Sequence, residues 1–473
     1  MNALLIAALL LPFRLLPAAL TAQAEQTPVQ APASATPAQP QVSDPLLTPV
    51  PPAPLELKSW GEALGLLRQR STDLQVALAQ VESAAGQWRI SLAALLPTLQ
   101  GTASVQYNVL NPDSTSYIGG GTSSGVGGGT SGGDRTPTSP LGVGLLTASV
   151  PVVDLSAYTA LGSARESQRA ATLSLAETRR QLTSRLASAI VSVVASERLA
   201  EVNRVNLRTA LERLALAQRR LELGAGTQLD VVRVQQDAET ARDAVVSGDE
   251  SLRQSREALG LALGVQGGVG LAQGTTLVAL LTQARQDCHQ LESLDRRADL
   301  AAARARLTVA ERGVTEVKGA YAPTLALQST TAAITVDPGF AEVPTWNIGA
   351  ALVLPFWDGG VREGRLRVAR AQAEVARQNV VALERSVEVE VNQSRRAVTV
   401  AQATRDIAAR ARALAEESDR LTRRSFEVGT GTSLELVQSA GALRQAELQL
   451  VLREFQFQDT QVTAFLTEAA CDW

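Results

Sequence analysis

Two twelve-residue stretches, Leu221–Val232 (LELGAGTQLDVV) and Phe426–Val437 (FEVGTGTSLELV), are variants of one sequence, and each closes a long run of helical character. Three sets of landmarks align the halves around them. Asp73, Leu74 and Pro97 match Asp299, Leu300 and Pro323; Pro151 and Asp154 match Pro355 and Asp358; Gly224, Thr227 and Asp230 match Gly429, Thr432 and Glu435. Elements therefore follow the same order in both halves, 56–268 and 269–473. Solenoid units run to about 20 to 50 residues. A repeat far longer than that predicts two copies of one large substructure, related by approximate symmetry within the subunit.

Proline placement says what the substructure is made of. Eleven of the 20 prolines precede Leu55, and the rest fall in two windows, Pro97–Pro151 and Pro323–Pro355. Proline inside a helix removes a backbone bond and clashes with the preceding turn. The proline-free tracts Val152–Ala322 and Phe356–Trp473, rich in Ala, Leu, Arg, Glu and Gln, accordingly read as helix.

Within them apolar residues return every three or four positions, as in Leu182, Leu186, Ile190, Val193 and, in the second half, Val380, Leu383, Val387, Val391. A narrow stripe on helices spanning Leu155–Leu223 and Val361–Phe426 predicts coiled-coil seams about 100 Å long. At their ends Gly224 and Gly429 supply the left-handed residue that stops a helix. Thr227 and Thr432 then cap returning helices, with Asp230 and Glu435 completing capping boxes. The returning helices are expected at Leu229–Leu263 and Leu434–Thr467, with hairpin tips at 223–230 and 428–435.

The proline windows alternate with period two instead. Val105, Tyr107 and Val109 oppose Thr102, Ser104 and Gln106; Trp346, Ile348 and Leu352 oppose Asn347, Gly349 and Ala351. Strands are expected at about 98–110, 141–151, 324–336 and 345–355. One apolar and one small or polar face suits a barrel between lipid and water, although a half-buried soluble sheet alternates in the same way. Aromatics are sparse, and eight of the 16, Tyr107, Tyr117, Tyr158, Tyr321, Phe340, Trp346, Phe356 and Trp357, lie in or beside these windows, as interfacial girdles would. Gly119–Gly133 is a Gly/Ser/Thr tract that reads as a long external loop.

Residues 1–24 have an apolar core and end in Ala22-Gln23-Ala24, the pattern of a secretory signal peptide. The run is interrupted by Arg14 and is too short for a spanning helix. The Pro/Ala/Gln-rich stretch 25–55 reads as an extended, disordered tether. Cys288 and Cys471, the only cysteines, leave two readings open: one disulfide in an exported protein, or two separate buried thiols.

Much chemistry is absent. A net charge of −3 with arginines and glutamates interspersed argues against nucleic acid. The single histidine, His289, beside Cys288, has no further ligand at metal spacing. The glycine tract lacks the Gly-Lys-Ser/Thr ending of a phosphate loop. No nucleophile, base and acid can be assembled into a catalytic set. Neither an enzyme nor a cofactor is expected.

From Leu57 to about Leu466 the chain resembles the TolC family of outer-membrane efflux and secretion channels. The resemblance rests on paired turns Leu96-Pro97-Thr98-Leu99 and Ala322-Pro323-Thr324-Leu325, on Leu354-Pro355-Phe356-Trp357-Asp358-Gly359-Gly360 with its fainter copy Val150-Pro151-Val152-Val153-Asp154, and on the glycine tips. It implies a mainly α protein with a membrane β-barrel: a homotrimer in which each subunit gives four strands to a twelve-stranded barrel and its helices to a long periplasmic α-helical tunnel. The implied function is an outer-membrane exit duct for efflux or type I secretion, engaged by periplasmic adaptors and inner-membrane transporters. The rival reading is a non-conducting coiled-coil envelope or surface protein. By the same resemblance Asp230, Glu435 and Gln438 are candidates for an entrance constriction, with Gln438 and Gly431 standing where relatives often carry an acidic and a basic residue. Gly224, Gly226, Thr227, Gly429, Gly431 and Thr432 are candidate adaptor contacts.

Overall fold

Each half of the chain builds the same series: a helix of 22 residues, two strands, a helix of 68 residues and a returning helix. The computed structural model describes residues 42–107, 109, 136–272, 274–337, 345–471 and 473. The expected signal peptide, the linker up to Gln41 and the loop Gly119–Gly133 lie outside them. The first series is α2 (Thr72–Ala93), β2 (Thr98–Gln106), β4 (Leu141–Val153), α3 (Leu155–Glu222) and α4 (Gln228–Leu263). The second is α6 (Ala298–Gly319), β7 (Thr324–Ile334), β9 (Thr345–Val353), α7 (Val361–Val428) and α8 (Ser433–Thr467). Smaller elements complete the chain: β1 (Leu55–Leu57), α1 (Trp60–Arg70), β3 (Thr136–Pro137), β5 (Val269–Leu271), α5 (Leu277–Gln286), β6 (Cys288–Gln290), β8 (Val336–Asp337) and β10 (Ala469–Cys471).

The strands form one antiparallel sheet in the order β2-β4-β7-β9, with β3 and β8 pairing separately. Below it, α2 and α4 stack end to end along α3. Gly264, at a φ of 69°, ends α4 so close to Arg70 that an added Cβ would come within 2.4 Å of its carbonyl oxygen. In the second repeat the Arg297 guanidinium, starting α6, donates to the Thr467 carbonyl at 3.1 Å where α8 ends. The seam on α3 runs through Leu186, Val193, Ala200 and Leu207, seven residues apart and all buried. At about 1.5 Å per residue, α3 and α7 each span about 100 Å. The repeats join because α3 packs against α6 and α8 as well as its own returning helix.

At mid-length, where the stacked helices meet, lies the largest core. Leu57, Trp60, Ile190, Leu259, Leu280 and Leu466 are fully buried there. Each such side chain contributes about 1.5 to 3 kcal/mol relative to exposure. Two small sheets clamp it, parallel β1-β5 and antiparallel β6-β10. In the latter, Cys288 and Cys471 stand directly opposite one another and form a disulfide, which decides between the two readings left open by the sequence.

Residues 42–54 depart from the tether expected of them. Val42, Leu46 and Leu47 pack on Leu207, Leu211 and Val245 between α3 and α4, and Pro45–Leu47 form a 3-10 turn capped by Asp44. Arg242 pairs with Asp44 at 3.0 Å, and Arg204 and Arg256 donate to the Thr48 and Pro51 carbonyls. Proline density suppressed regular structure here, but three apolar side chains and three arginine contacts were enough to seat an irregular strap.

The disulfide closes a loop with a sequence separation of 183 residues. Constraint of the unfolded chain makes it worth about 2 to 5 kcal/mol. Cys288→Ser/Cys471→Ser is expected to lower the thermal midpoint by several degrees while leaving helix content by circular dichroism intact. An unchanged midpoint would show that the bond adds no stability.

Candidate channel-forming surfaces and tip site

The sheet has two unfilled edges. Among the described residues β2 pairs only with β4 and β9 only with β7, and all nine residues of β2 are exposed. Each edge leaves a row of backbone donors and acceptors available for a further strand.

Register gives the sheet two unlike faces. Directly opposed residues point the same way, so Leu99, Ala148, Ser329 and Ile348 form one rung of a face continued by Val150, Leu327 and Ala350 and by Leu325 and Leu352. On the other face one rung is Gln100, Thr147, Thr330 and Asn347, and the next Thr98, Ser149, Gln328 and Gly349. Val105 and Leu352 share the apolar face and are 75% and 59% exposed. Exposed Tyr107 and Trp346 mark one end of the strands; Tyr321, Phe356 and Trp357 mark the other. The nine residues of β9 cover about 30 Å of strand, or about 23 Å of height at a tilt of about 40°, close to the apolar band of a membrane barrel.

A second unpartnered surface runs down α7. Val361, Val368, Val375 and Val389, then Val400, Ile407, Leu414, Leu421 and Val428, are each more than half exposed. Within each group spacings are sevens or a multiple, the period of a coiled-coil seam. Val380 and Val387, which face the subunit's own helices, lie on the opposite side of α7. A helix with apolar stripes on two opposite sides is built to sit between neighbours.

At the tips the expected caps form. Gly224 and Gly429 take φ of 71° and 88°. Gly431 is tightly packed, since a Cβ would come within 3.0 Å of the Phe426 nitrogen, and Gly226 is nearly as tight. The Thr227 and Thr432 amides donate to Asp230 Oδ2 at 2.9 Å and Glu435 Oε2 at 3.0 Å, and their hydroxyls accept from the Asp230 and Glu435 amides. The two carboxylates then part ways. Asp230 also accepts from the Ser433 hydroxyl of the other tip, and this bond, followed by those from Thr227, holds its pKa below the ordinary aspartate value. Glu435 and Gln438 remain exposed, and Gln438 has no hydrogen-bond partner among the described residues.

Sequence reasoning missed what binds the hairpins together above the tips. Arg213 on α3 donates to both oxygens of Asp419 on α7, at 3.0 and 3.2 Å. Asp419 also accepts from Arg423 at 2.7 Å and from Ser439 at 3.3 Å, and is 1% exposed. Arg444 on α8 reaches buried Asp237 on α4 at 2.9 Å, and Arg220 donates to the Phe426 carbonyl while lying 4.3 Å over its ring. Burial lowers the Arg213 pKa, opposed mainly by Asp419. One signal was legible. At the offset that matches Gly224 to Gly429, Asp419 and Ser439 occupy the places of Leu214 and Val234, which pack together in the first repeat.

Comparison with known proteins gives a concordant picture. The family model described as outer membrane efflux protein matches residues 63–265 and 291–464. The fusaric acid resistance protein FusA of Burkholderia cepacia is 28% identical over 162 residues, 33% of this chain; the chain spans about a third (31%) of that relative's length. The solved structure of CusC superposes with a TM-score of 0.72 at 17% identity, covering 91% of this chain and 99% of that one. The outer membrane protein VceC of Vibrio cholerae gives 0.69 at 18%, covering 87% and 97%. The Campylobacter jejuni CmeC outer membrane channel gives 0.70 at 15%, covering 88% and 87%.

Two outcomes follow from the tip geometry. Asp419→Ala strands a buried guanidinium and is expected to destabilise the hairpin contact by about 3 to 5 kcal/mol. Arg213→Leu/Asp419→Leu/Ser439→Val, which restores an apolar pair, should recover most of that loss by hydrogen exchange in residues 410–445. No loss in Asp419→Ala would deny the pair a structural role. A carboxyl whose folded pKa is depressed stabilises fully above its unfolded value, about 3.9, and the Asp230–Ser433 link is lost as pH falls through the lower folded value. Protection of the Glu435 and Leu436 amides relative to their intrinsic exchange rates should therefore fall only below about pH 4, and in Asp230→Asn should lose that dependence.

Proposed function

The chain belongs to the outer membrane efflux protein family, and on that premise we propose that three copies assemble into an exit duct for substrates handed over by inner-membrane pumps through periplasmic adaptors. The two open edges of a two-faced sheet are the observation that carries this reading. In hydrocarbon every backbone donor and acceptor needs a partner, which only helices and closed barrels provide. Four strands are too few to close, whereas β9 of one copy can pair with β2 of the next until three copies complete a twelve-stranded ring. The α7 seam would meet the α2–α4 edge of the adjacent copy in the same turn, extending the ring below the membrane as a helical tunnel.

In this reading the apolar sheet face meets lipid and the Gln100–Asn347 rung lines the conduit. The tips are the working end in the periplasm. Gly224, Gly226, Thr227, Gly429, Gly431 and Thr432 present close-packed backbone to the adaptor. Threefold symmetry gathers three Glu435 side chains at the entrance, where like charges would attract cations. Asp230, already committed to Thr227 and Ser433, serves closure of the tip more than selectivity. Cargo choice belongs to the pump and adaptor. A coiled-coil spacer would account for the helices and leave the paired strands and their aromatic margins without purpose.

Conductance in planar bilayers by detergent-extracted protein tests the proposal; a bilayer-inserted trimer that carries no current would overturn it. Val105→Arg and Leu352→Arg should each reduce heat-resistant trimer, because arginine on the lipid face near mid-barrel costs about 2 to 4 kcal/mol. Glu435→Gln keeps the cap's acceptor and should lower cation selectivity without moving the thermal midpoint. Selectivity equal to wild type would leave Glu435 with the capping role alone.

A further inference from the structure

Just below the sheet, α2, α3 and α6 enclose a cleft of about 1,410 Å³. Its floor is open because Ala85, Gly86 and Gly162 have little or no side chain there. Four guanidiniums from three helices line it, Arg89, Arg165, Arg169 and Arg312, against two carboxylates, Glu82 and Glu166. Glu166 is shared by Arg312 at 3.6 Å and Arg169 at 3.9 Å. Arg89 and Arg165 have no ion pair or hydrogen bond among the described residues. Arg312 reaches the cleft by crossing Gly162, where a Cβ would come within 2.4 Å of Nη1. Trp88 and half-exposed Tyr158 stand at the rim.

We propose that this cleft binds the phosphate of an anionic phospholipid, such as phosphatidylglycerol, in the leaflet that faces the helices. The inference rests on the membrane reading given above. Arginine forks match phosphate oxygens in paired hydrogen bonds. Tyr158 lies one helical turn beyond Asp154, at the level of the aromatic margin formed by Tyr321, Phe356 and Trp357. Helical side chains lean toward the helix N-terminus, so Arg165 and Arg169, on a helix that runs away from the sheet, lean toward the membrane. Guanidinium stems with Trp and Tyr beside them are the composition of an interfacial site. The excess of two positive charges selects an anionic over a zwitterionic headgroup. The cleft opens beside Glu82, Gly86 and Arg89 of α2.

The test is native mass spectrometry of the full-length trimer, delipidated in detergent and titrated with phosphatidylglycerol, phosphatidylcholine or inorganic phosphate. Wild type is expected to retain phosphatidylglycerol over phosphatidylcholine. Each basic residue near an anionic surface adds about 1 kcal/mol, so Arg89→Gln/Arg165→Gln should weaken the apparent affinity for phosphatidylglycerol about thirtyfold with the trimer intact. If that variant does not assemble, Glu82→Gln removes a competing carboxylate and should raise retention; no rise would overturn the proposal. Equal retention by wild type and the double variant would also overturn it. Full competition by millimolar inorganic phosphate would reassign the cleft to soluble anions and contradict the lipid assignment. A chain that never enters bilayers would defeat the channel reading itself, whereas an inserted trimer indifferent to phosphatidylglycerol defeats only this inference.

Discussion

An unpaired backbone amide has nowhere to go in hydrocarbon, and the architecture is organised around that constraint. Each subunit carries a sheet that is finished on its faces and unfinished at its edges. The faces follow from period-two alternation brought into register across β2, β4, β7 and β9, so that Leu99 meets Ala148 while Gln100 meets Thr147. The edges follow from strand number: two strands per repeat and two repeats per chain. The exposed α7 seam is unfinished in another way below the sheet, where a helix whose backbone is already paired keeps valines and leucines turned away from its own partners.

Duplication supplies two scaffolds, and divergence between them supplies the contacts that hold hairpin to hairpin. Had both repeats kept an apolar pair above the tip, Leu214 and Val234 would have a Leu/Val counterpart and the Arg213–Asp419 link between the hairpins would be missing. With Asp419 and Ser439 in those places, a carboxylate is buried in the second hairpin and drawn into contact with Arg213 of the first. A buried ion pair adds little net stability over an apolar pair, yet breaking one partner is costly. The exchange therefore makes the two hairpins depend on each other without making the subunit much more stable. Asp230 and Ser433 repeat the device one step nearer the end.

Much of this was legible in the sequence because the relevant signals are local. Gly224 and Gly429 end helices through a backbone conformation that neighbouring residues barely influence, and Thr227 and Thr432 cap within their own turn. Strand alternation and the seven-residue seams are likewise one-dimensional patterns. What escaped is what depends on elements far apart in the chain. Nothing near Arg213 names Asp419 as its partner, some two hundred residues on. The strap at 42–54 was hidden for a different reason. Its prolines argue against helix and strand, and that argument is silent on whether an irregular segment can pack, as Leu46 and Leu47 do against α3 and α4.

The central claim is that neighbouring copies fill the edges of β2 and β9, and amide hydrogen exchange measures it at those edges. In the bilayer-embedded assembly the amides of Thr98–Gln106 and Thr345–Val353 should exchange as slowly as those of the interior strands β4 and β7, and should become fast once the copies are dissociated in detergent. Edge amides that exchange freely within the embedded assembly, while β4 and β7 stay protected, would contradict the claim.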